Sequence, residues 1–144
     1  MNGAPIPPVT PINALYWEGT ATNELRLCVC TNCGTRFRFV RELCPRCWSS
    51  NPAWEVSAGS GKVVARVVVE AAPYEAMAAR TPYVLALVEL DEGVTMMSNV
   101  VDCDPHSVEI GQRVELLFEQ RGDFAIPQFR LSAEVETRDI AHTE

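Results

Sequence analysis

One lysine, Lys62, stands against eleven arginines, and His106 and His142 are the only histidines. No apolar run approaches the roughly 18–20 residues of a membrane span, which argues against a membrane protein. The opening stretch MNGAPIPPVTP has neither the basic nor the apolar region of a secretory signal. A cytoplasmic protein with reduced thiols is therefore expected. No dinucleotide-binding GxGxxG, Walker loop or GxSxG elbow occurs. His106 sits in a turn beside Asp104 and Pro105, and His142 lies in the C-terminal tail. Neither has a nucleophile in view, so both read as solvated. Nineteen acids offer carboxylate pairs by chance, and none is marked by spacing. No catalytic constellation is carried by this chain alone.

Charge is also unevenly present. The net charge is -7. Between Arg26 and Arg46 lie five arginines (26, 36, 38, 41 and 46) and one acid, Glu42. Nucleic-acid binding needs a broad basic surface with stacking aromatics. Residues 58–132 instead carry six cations against eleven acids, with few aromatics. A zinc-ribbon and OB-fold nucleic-acid-binding protein is thus the weaker alternative.

What is present divides the chain into parts. Residues 1–10 are rich in proline and small residues and read as irregular. Residues 11–24 carry Ile12, Leu15 and Tyr16 at helical spacing, with Pro11 at a first-turn position, and predict a short amphipathic helix. Residues 25–57 form a cysteine-rich module. Residues 58–132 read as β, and 133–144 as a flexible tail. Five runs carry the β reading, at 61–71, 82–93, 94–101, 112–120 and 126–132. The second and third join through a turn at Asp91-Glu92-Gly93. In the fourth, Val114, Leu116 and Phe118 alternate with Arg113, Glu115 and Glu119. In the last, Pro127 suits an edge or a strand start. Residues 102–111 look like a turn or one helical turn. Five short strands in about 75 residues suit a five-stranded OB-fold barrel. The fold class expected is mainly β: a short N-terminal helix, a four-cysteine zinc ribbon, then that barrel.

Five of the six cysteines fall within CVCTNCGTRFRFVRELCPRC, residues 28–47. Cys30-Thr-Asn-Cys33 and Cys44-Pro-Arg-Cys47 are two CxxC pairs with ten residues between them. Each CxxC forms a knuckle that aims two thiolates at one point, and the spacer is long enough for a hairpin to bring the knuckles together. Gly34 can take the positive φ that such a turn often needs. Four cysteines close a tetrahedral shell and leave no position for water, so a structural zinc is expected at Cys30, Cys33, Cys44 and Cys47. Iron in a rubredoxin-like electron carrier is the rival, but the spacer is short for it and the barrel would be unexplained. Cys28 fits neither pair and reads as a strand residue beside the site. Cys103 reads as a small, partly buried residue.

Longer stretches resemble a family. ALYWEGTATNELRLCVCTNCGTRFRF, CPRCWSSNPAWEVSAGSGKVVARVVV and PYVLALVELDEGVTMMSNVVDCDPHSVEIGQRVELLFE are similar to the pattern of the DUF35 proteins, in which a rubredoxin-like zinc ribbon precedes an acyl-CoA-associated OB-fold. The resemblance covers about residues 11–132. The chain departs from the pattern at Asn23 and Trp48, where glycine is usual, and at Val40 and Arg41, where proline is usual. The resemblance implies a non-catalytic accessory subunit of a thiolase-like enzyme, either a thiolase or a lipid-transfer-type aldolase. Such a subunit helps hold or pass the partner's acyl-CoA. A hydratase partner is the alternative, and a hetero-oligomer such as a heterotetramer is implied. Two groups of residues become candidates. Arg36, Arg38 and Arg41 would contact CoA phosphates or acidic partner surface, or merely offset the -2 charge of a four-thiolate zinc site. Ile12, Leu15, Tyr16 and Trp17 would dock the partner, since no long helix of the same chain is available to cover them. Removal of residues 1–22 is then expected to leave ribbon and barrel folded.

Overall fold

Thr10 and Asn13 close the chain on itself just before the helix. Asn13 Oδ1 accepts from the Thr10 amide (2.7 Å), and Thr10 Oγ1 accepts from the Asn13 amide (3.3 Å). Helix α1 follows over Ala14–Ala21, shorter than the expected 11–24 because Pro11 lies in this preceding turn. It ends in a Schellman motif: the Asn23 amide donates to Thr20 O and the Glu24 amide to Gly19 O. Asn23 takes φ +65°, the left-handed conformation that glycine and asparagine tolerate best. That is the physical reason for glycine in the family pattern there. The computed structural model describes residues 4–133. The tail expected at 133–144, His142 included, lies outside the described residues but for Ala133.

A three-stranded sheet follows, built from β1 (Arg26–Val29), β2 (Arg36–Phe37) and β3 (Ala53–Val56) in the order β2-β1-β3. Five longer strands then close a barrel: β4 (Ser60–Val69), β5 (Tyr83–Leu90), β6 (Thr95–Val101), β7 (Arg113–Arg121) and β8 (Phe124–Leu131). Their order is β4-β5-β6-β8-β7, and β7 returns to β4. All pairs are antiparallel except the short parallel contact of β6 with β8. The chain is thus mainly β, with the one short helix, the ribbon sheet and the five-stranded OB-fold arrangement. Along β5, Val84, Ala86, Val88 and Leu90 are buried and alternate with half-buried outward residues.

Helix, ribbon and barrel share one core. Tyr16, Leu25 and Leu27 pack in the same buried cluster as Val63, Val88, Val114 and Phe129. Trp17 meets Phe124 of β8 edge-on, with ring centroids 5.7 Å apart. This overturns part of the docking expectation. Tyr16 is buried and Trp17 half-buried within the chain itself, because β8 offers the apolar surface that the other subunit was expected to supply. Removing residues 1–22 would also uncover this core, so that truncation is not the clean change expected from sequence.

The chain between ribbon and barrel is clasped by Glu92, in the β5–β6 turn. Its carboxylate accepts from Ser57 Oγ (2.9 Å) and from the Ala58 amide (2.7 Å). Other details differ from expectation. Pro127 is not at a strand start: it is buried mid-strand in β8, opposite Phe118, where the side of β8 that faces β6 is unpaired and forms a local edge. It is tolerated because β6 pairs with β8 only from Phe129 onward, so no ladder needs a proline N–H. Its carbonyl accepts instead from Ser98 Oγ (2.9 Å). A 3-10 segment over Glu75–Arg80 breaks the β stretch, and a second, Pro105–Ser107, forms the single turn expected near there.

Strand β4 must pair with β7 and β5 at once, and Gly61 sits at that crossing. A Cβ there would lie 2.5 Å from the carbonyl oxygen of Glu89. We predict that Gly61→Ala destabilises the fold by about 2 kcal/mol, the usual scale of overpacking against backbone. Urea unfolding of zinc-loaded protein measures this, and an unchanged midpoint would refute the close approach.

Candidate metal centre and adjoining groove

The two knuckles are built alike. The Cys30 amide donates to Thr35 O and the Cys44 amide to Ser49 O, both at 2.8 Å. The Gly34 amide returns to Cys30 O and the Trp48 amide to Cys44 O, both at 3.0 Å. These turns point amides at sulfur: Asn32 and Cys33 donate to Cys30 Sγ, and Arg46 and Cys47 to Cys44 Sγ, at 3.3–3.5 Å. All four Sγ atoms of Cys30, Cys33, Cys44 and Cys47 lie within 4.8 Å of one another. Asn32 Nδ2 (3.5 Å), then the hydroxyl and amide of Ser49, hold the Cys47 thiol down to about 5. Thr35 lowers the Cys33 thiol likewise. A soft, four-sulfur donor set with N–H groups already aimed at two of its sulfurs fits zinc, which prefers a tetrahedral thiolate shell. Such a site is closed, and the metal would hold the two knuckles together.

The remaining cysteines stand apart from that cluster. Cys28 is fully buried in β1, and burial pushes its thiol up. Cys103 is half-buried, and burial with Asp104 and Asp102 nearby raises its thiol too. Neither has the thiolate character of a nucleophile. His106 is exposed, with Nε2 2.8 Å from Glu70.

The arginines do not form one patch. Arg36 pairs with Glu55 across the ribbon sheet. Arg38 stacks over the rings of Tyr16 and Phe39, at 5.2 and 5.1 Å, and donates to the Tyr16 hydroxyl at 3.1 Å. It thereby ties ribbon to helix. Arg41 is exposed, and its side chain has no ion-pair partner among the described residues. The arginines therefore differ in what they can offer a ligand: Arg41 is free, whereas Arg36 and Arg38 already have partners.

Beside the knuckles, α1 and the ribbon enclose an open groove of about 1050 Å³. Ile12, Leu15, Leu43, Pro45, Trp48 and Trp54 give it an apolar lining, and Arg41 stands on it. Ile12 and Leu15 are nearly half exposed. They are the two members of the expected docking set that remain on the surface. Trp48 occupies in the second knuckle the place of Gly34 in the first.

Comparison with known proteins bears on these features. Residues 17–53 match the family model described as ChsH2, rubredoxin-like zinc ribbon domain, and residues 54–119 match ChsH2, C-terminal OB-fold domain. A DUF35 domain-containing scaffold protein of Methanocaldococcus jannaschii is 41% identical over 90 residues, 62% of this chain and 63% of that protein. The match thus spans less than two thirds of that relative's length. A probable enoyl-CoA hydratase alpha subunit of Thermomonospora curvata is 33% identical over 127 residues, 88% of this chain but 39% of the relative. Among solved structures, a chain of the Ltp2-ChsH2(DUF35) aldolase superposes with a TM-score of 0.77 at 31% identity, covering 88% of this chain and 98% of that one. No helix among the described residues is long and apolar enough to cross a membrane.

Cys→Ser at position 30, 33, 44 or 47 is predicted to reduce zinc from about one per chain to near zero. Structural zinc contributes on the order of 10–16 kcal/mol of apparent binding free energy to folding, so the ribbon amides should lose exchange protection as well. Cys28→Ala and Cys103→Ala should keep the metal. Elemental analysis with hydrogen exchange tests this. Iron in place of zinc, or full zinc after loss of Cys44, would overturn the assignment.

Proposed function

The chain belongs to the DUF35 family, in which a ChsH2-type zinc ribbon precedes an OB-fold, and from that premise we propose that it is a non-catalytic accessory subunit of a thiolase-like enzyme. In this reading Cys30, Cys33, Cys44 and Cys47 hold one structural zinc in the reduced cytoplasm. The zinc fixes the ribbon, the ribbon and α1 dock on the partner, and the barrel helps hold or pass the partner's acyl-CoA. The active site belongs to the other subunit of a hetero-oligomer, such as a heterotetramer.

The observation that carries the reading is the pair Ile12 and Leu15. They stand exposed at the mouth of an apolar groove, Leu15 on the helix and Ile12 in the turn before it, in a chain whose helix aromatics Tyr16 and Trp17 already pack inward. Apolar side chains so grouped mark protein interfaces. The names of the relatives support the class of partner, since a scaffold protein, a hydratase alpha subunit and an aldolase component stand among them. The aldolase neighbour covers nearly the whole of its chain, which favours a thiolase-like partner over a hydratase. Arg41 is the best placed of the three arginines to meet an acidic partner surface or a CoA phosphate, because Arg36 and Arg38 are already engaged.

The nucleic-acid alternative loses ground on the barrel. Lys62, Arg80, Arg113, Arg121 and Arg130 each pair with a carboxylate. A phosphate backbone would have to displace those acids.

Ile12→Asp combined with Leu15→Asp is the test. Exposed substitutions shift stability by about 0.5 kcal/mol or less, so zinc content and unfolding should stay as in the parent. Affinity for the thiolase-like subunits encoded in the same genome, each expressed and titrated, should fall at least tenfold, about 1.4 kcal/mol. Unchanged affinity would remove the docking role from the helix. Enzymatic turnover of an acyl-CoA by this chain alone would end the accessory reading.

A further inference from the structure

Trp48 combines two features that its own fold does not require. Its φ is +66°, a left-handed conformation that a Cβ makes unfavourable. The matching position of the first knuckle is Gly34 at φ +78°. The two turns make the same pair of hydrogen bonds at the same lengths, so glycine would serve the second turn equally well. The Trp48 side chain is also 74% exposed, more than any other large hydrophobic described. Its ring meets no other aromatic ring among the described residues, whereas Trp17 packs on Tyr16 and Phe124. A strained backbone that holds a large apolar ring in water is the pattern found at sites shaped for a ligand or partner.

The surroundings indicate what covers it. Trp48 lines the same groove as Ile12, Leu15 and Leu43, so its surface is continuous with the docking face proposed above. Arg41 and Glu42 stand on that groove, and Arg46 is exposed two residues before Trp48, so cations outnumber the one acid there; neither arginine side chain has an ion-pair partner among the described residues. The occupant that complements such a surface is apolar and carries carboxylates. We infer that Trp48 is the anchor residue of this interface: it selects a partner enzyme subunit presenting an apolar, acid-bearing segment to the second knuckle. The inference rests on the accessory-subunit reading and goes beyond it, because it names the residue and the surface chemistry that choose the partner. It makes the choice of partner a property of this chain. Buried tryptophans at the centre of interfaces commonly dominate binding.

The experiment uses the zinc-loaded full chain and the variants Trp48→Gly, Trp48→Ala and Trp48→Phe. Each is titrated calorimetrically against every thiolase-like subunit encoded in the same genome, and each is unfolded in urea. Trp48→Gly is expected to keep its zinc and an unfolding midpoint no lower than the parent's, while binding at least tenfold more weakly. Trp48→Ala should match that loss of affinity, and Trp48→Phe should recover part of it. A lowered midpoint with unchanged affinity would make Trp48 a structural residue and overturn the inference, leaving the accessory reading intact. Equal affinity of parent and Trp48→Gly would overturn it likewise. Binding of no subunit by the parent, when the proteins are folded and zinc-loaded, would bring down the accessory reading and this inference together. Two other occupants are separable outcomes. Saturable binding of palmitoyl-CoA to the isolated chain, lost in Trp48→Gly, would make the groove a lipid site. A dimer of the isolated chain, dissociated by Trp48→Gly, would make it a self-interface. Either result overturns the inference.

Discussion

The structure depends on a single short strand that has to serve two masters. Leu25 and Leu27, just before and within β1, are fully buried in the core shared with the barrel. Three residues beyond Leu27 the same segment turns into the first knuckle at Cys30. At 3.2–3.4 Å per residue, a strand is a stiff spacer, so β1 fixes the distance between metal centre and barrel core. The ribbon sheet is too small to bury a core of its own. It borrows one, and Tyr16 and Leu27 are the loan. A free-standing ribbon of this size would need the metal for all of its stability; here hydrophobic burial against the barrel supplements it.

That sharing explains the distribution of charge. The sequence shows five arginines crowded into residues 26–46 against one acid, which suggests a basic patch. In the fold Arg26 reaches Glu24 and the carbonyl of Leu15, Arg36 reaches Glu55, and Arg38 stacks on Tyr16. Each joins the ribbon either to the helix or across its own sheet. The partners Glu24 and Glu55 lie outside the window that made the cluster look basic. Partly exposed pairs of this kind add little to stability individually. Their effect is to set orientation, with Arg26 and Arg38 gripping the helix from the ribbon side while Trp17 grips the barrel.

How much of this could be read from the chain follows from the range of the interactions. The knuckles are local, so their residues and spacing announced the four-sulfur cluster. The barrel strands are nearly local: runs of β-branched residues separated by turns placed all five within a few residues of where they lie. Closure was not visible in the same way. The parallel contact of β6 with β8 joins residues about thirty apart in sequence, Val100 with Phe129, and leaves no periodic trace. The edge at Pro127 could not be located mid-strand for that reason, since it depends on where that contact begins. The fate of Tyr16 and Trp17 was also hidden, because helical spacing shows that a face is apolar but not what covers it. The sequence shows both Asn23 and Trp48 as departures from glycine. Their backbone angles turn those departures into opposites: asparagine accommodates a left-handed turn at a helix end, whereas tryptophan has no such aptitude.

The ribbon and the barrel hold a fixed relation, and the junction at Ser57–Gly59 shows how that is achieved. A loop of three small residues between two sheets would ordinarily act as a hinge. Here the Ser57 amide is bound to Leu25 O, the Ser57 hydroxyl and the Ala58 amide to Glu92, and the Gly59 amide to Ser57 Oγ. The Glu92 carboxylate thus satisfies donors that would otherwise favour solvent and a mobile chain. Because Glu92 sits in the β5–β6 turn, the clasp fixes the ribbon against those two strands. On their outer face Leu85, Leu87 and Met97 form an apolar strip, with Met97 59% exposed. A subunit docked at the groove on Ile12, Leu15 and Trp48, as proposed, would be held in one orientation relative to that strip. A filled metal site, the shared core and the Glu92 clasp would together convert a contact at one end of the molecule into a defined position for the other.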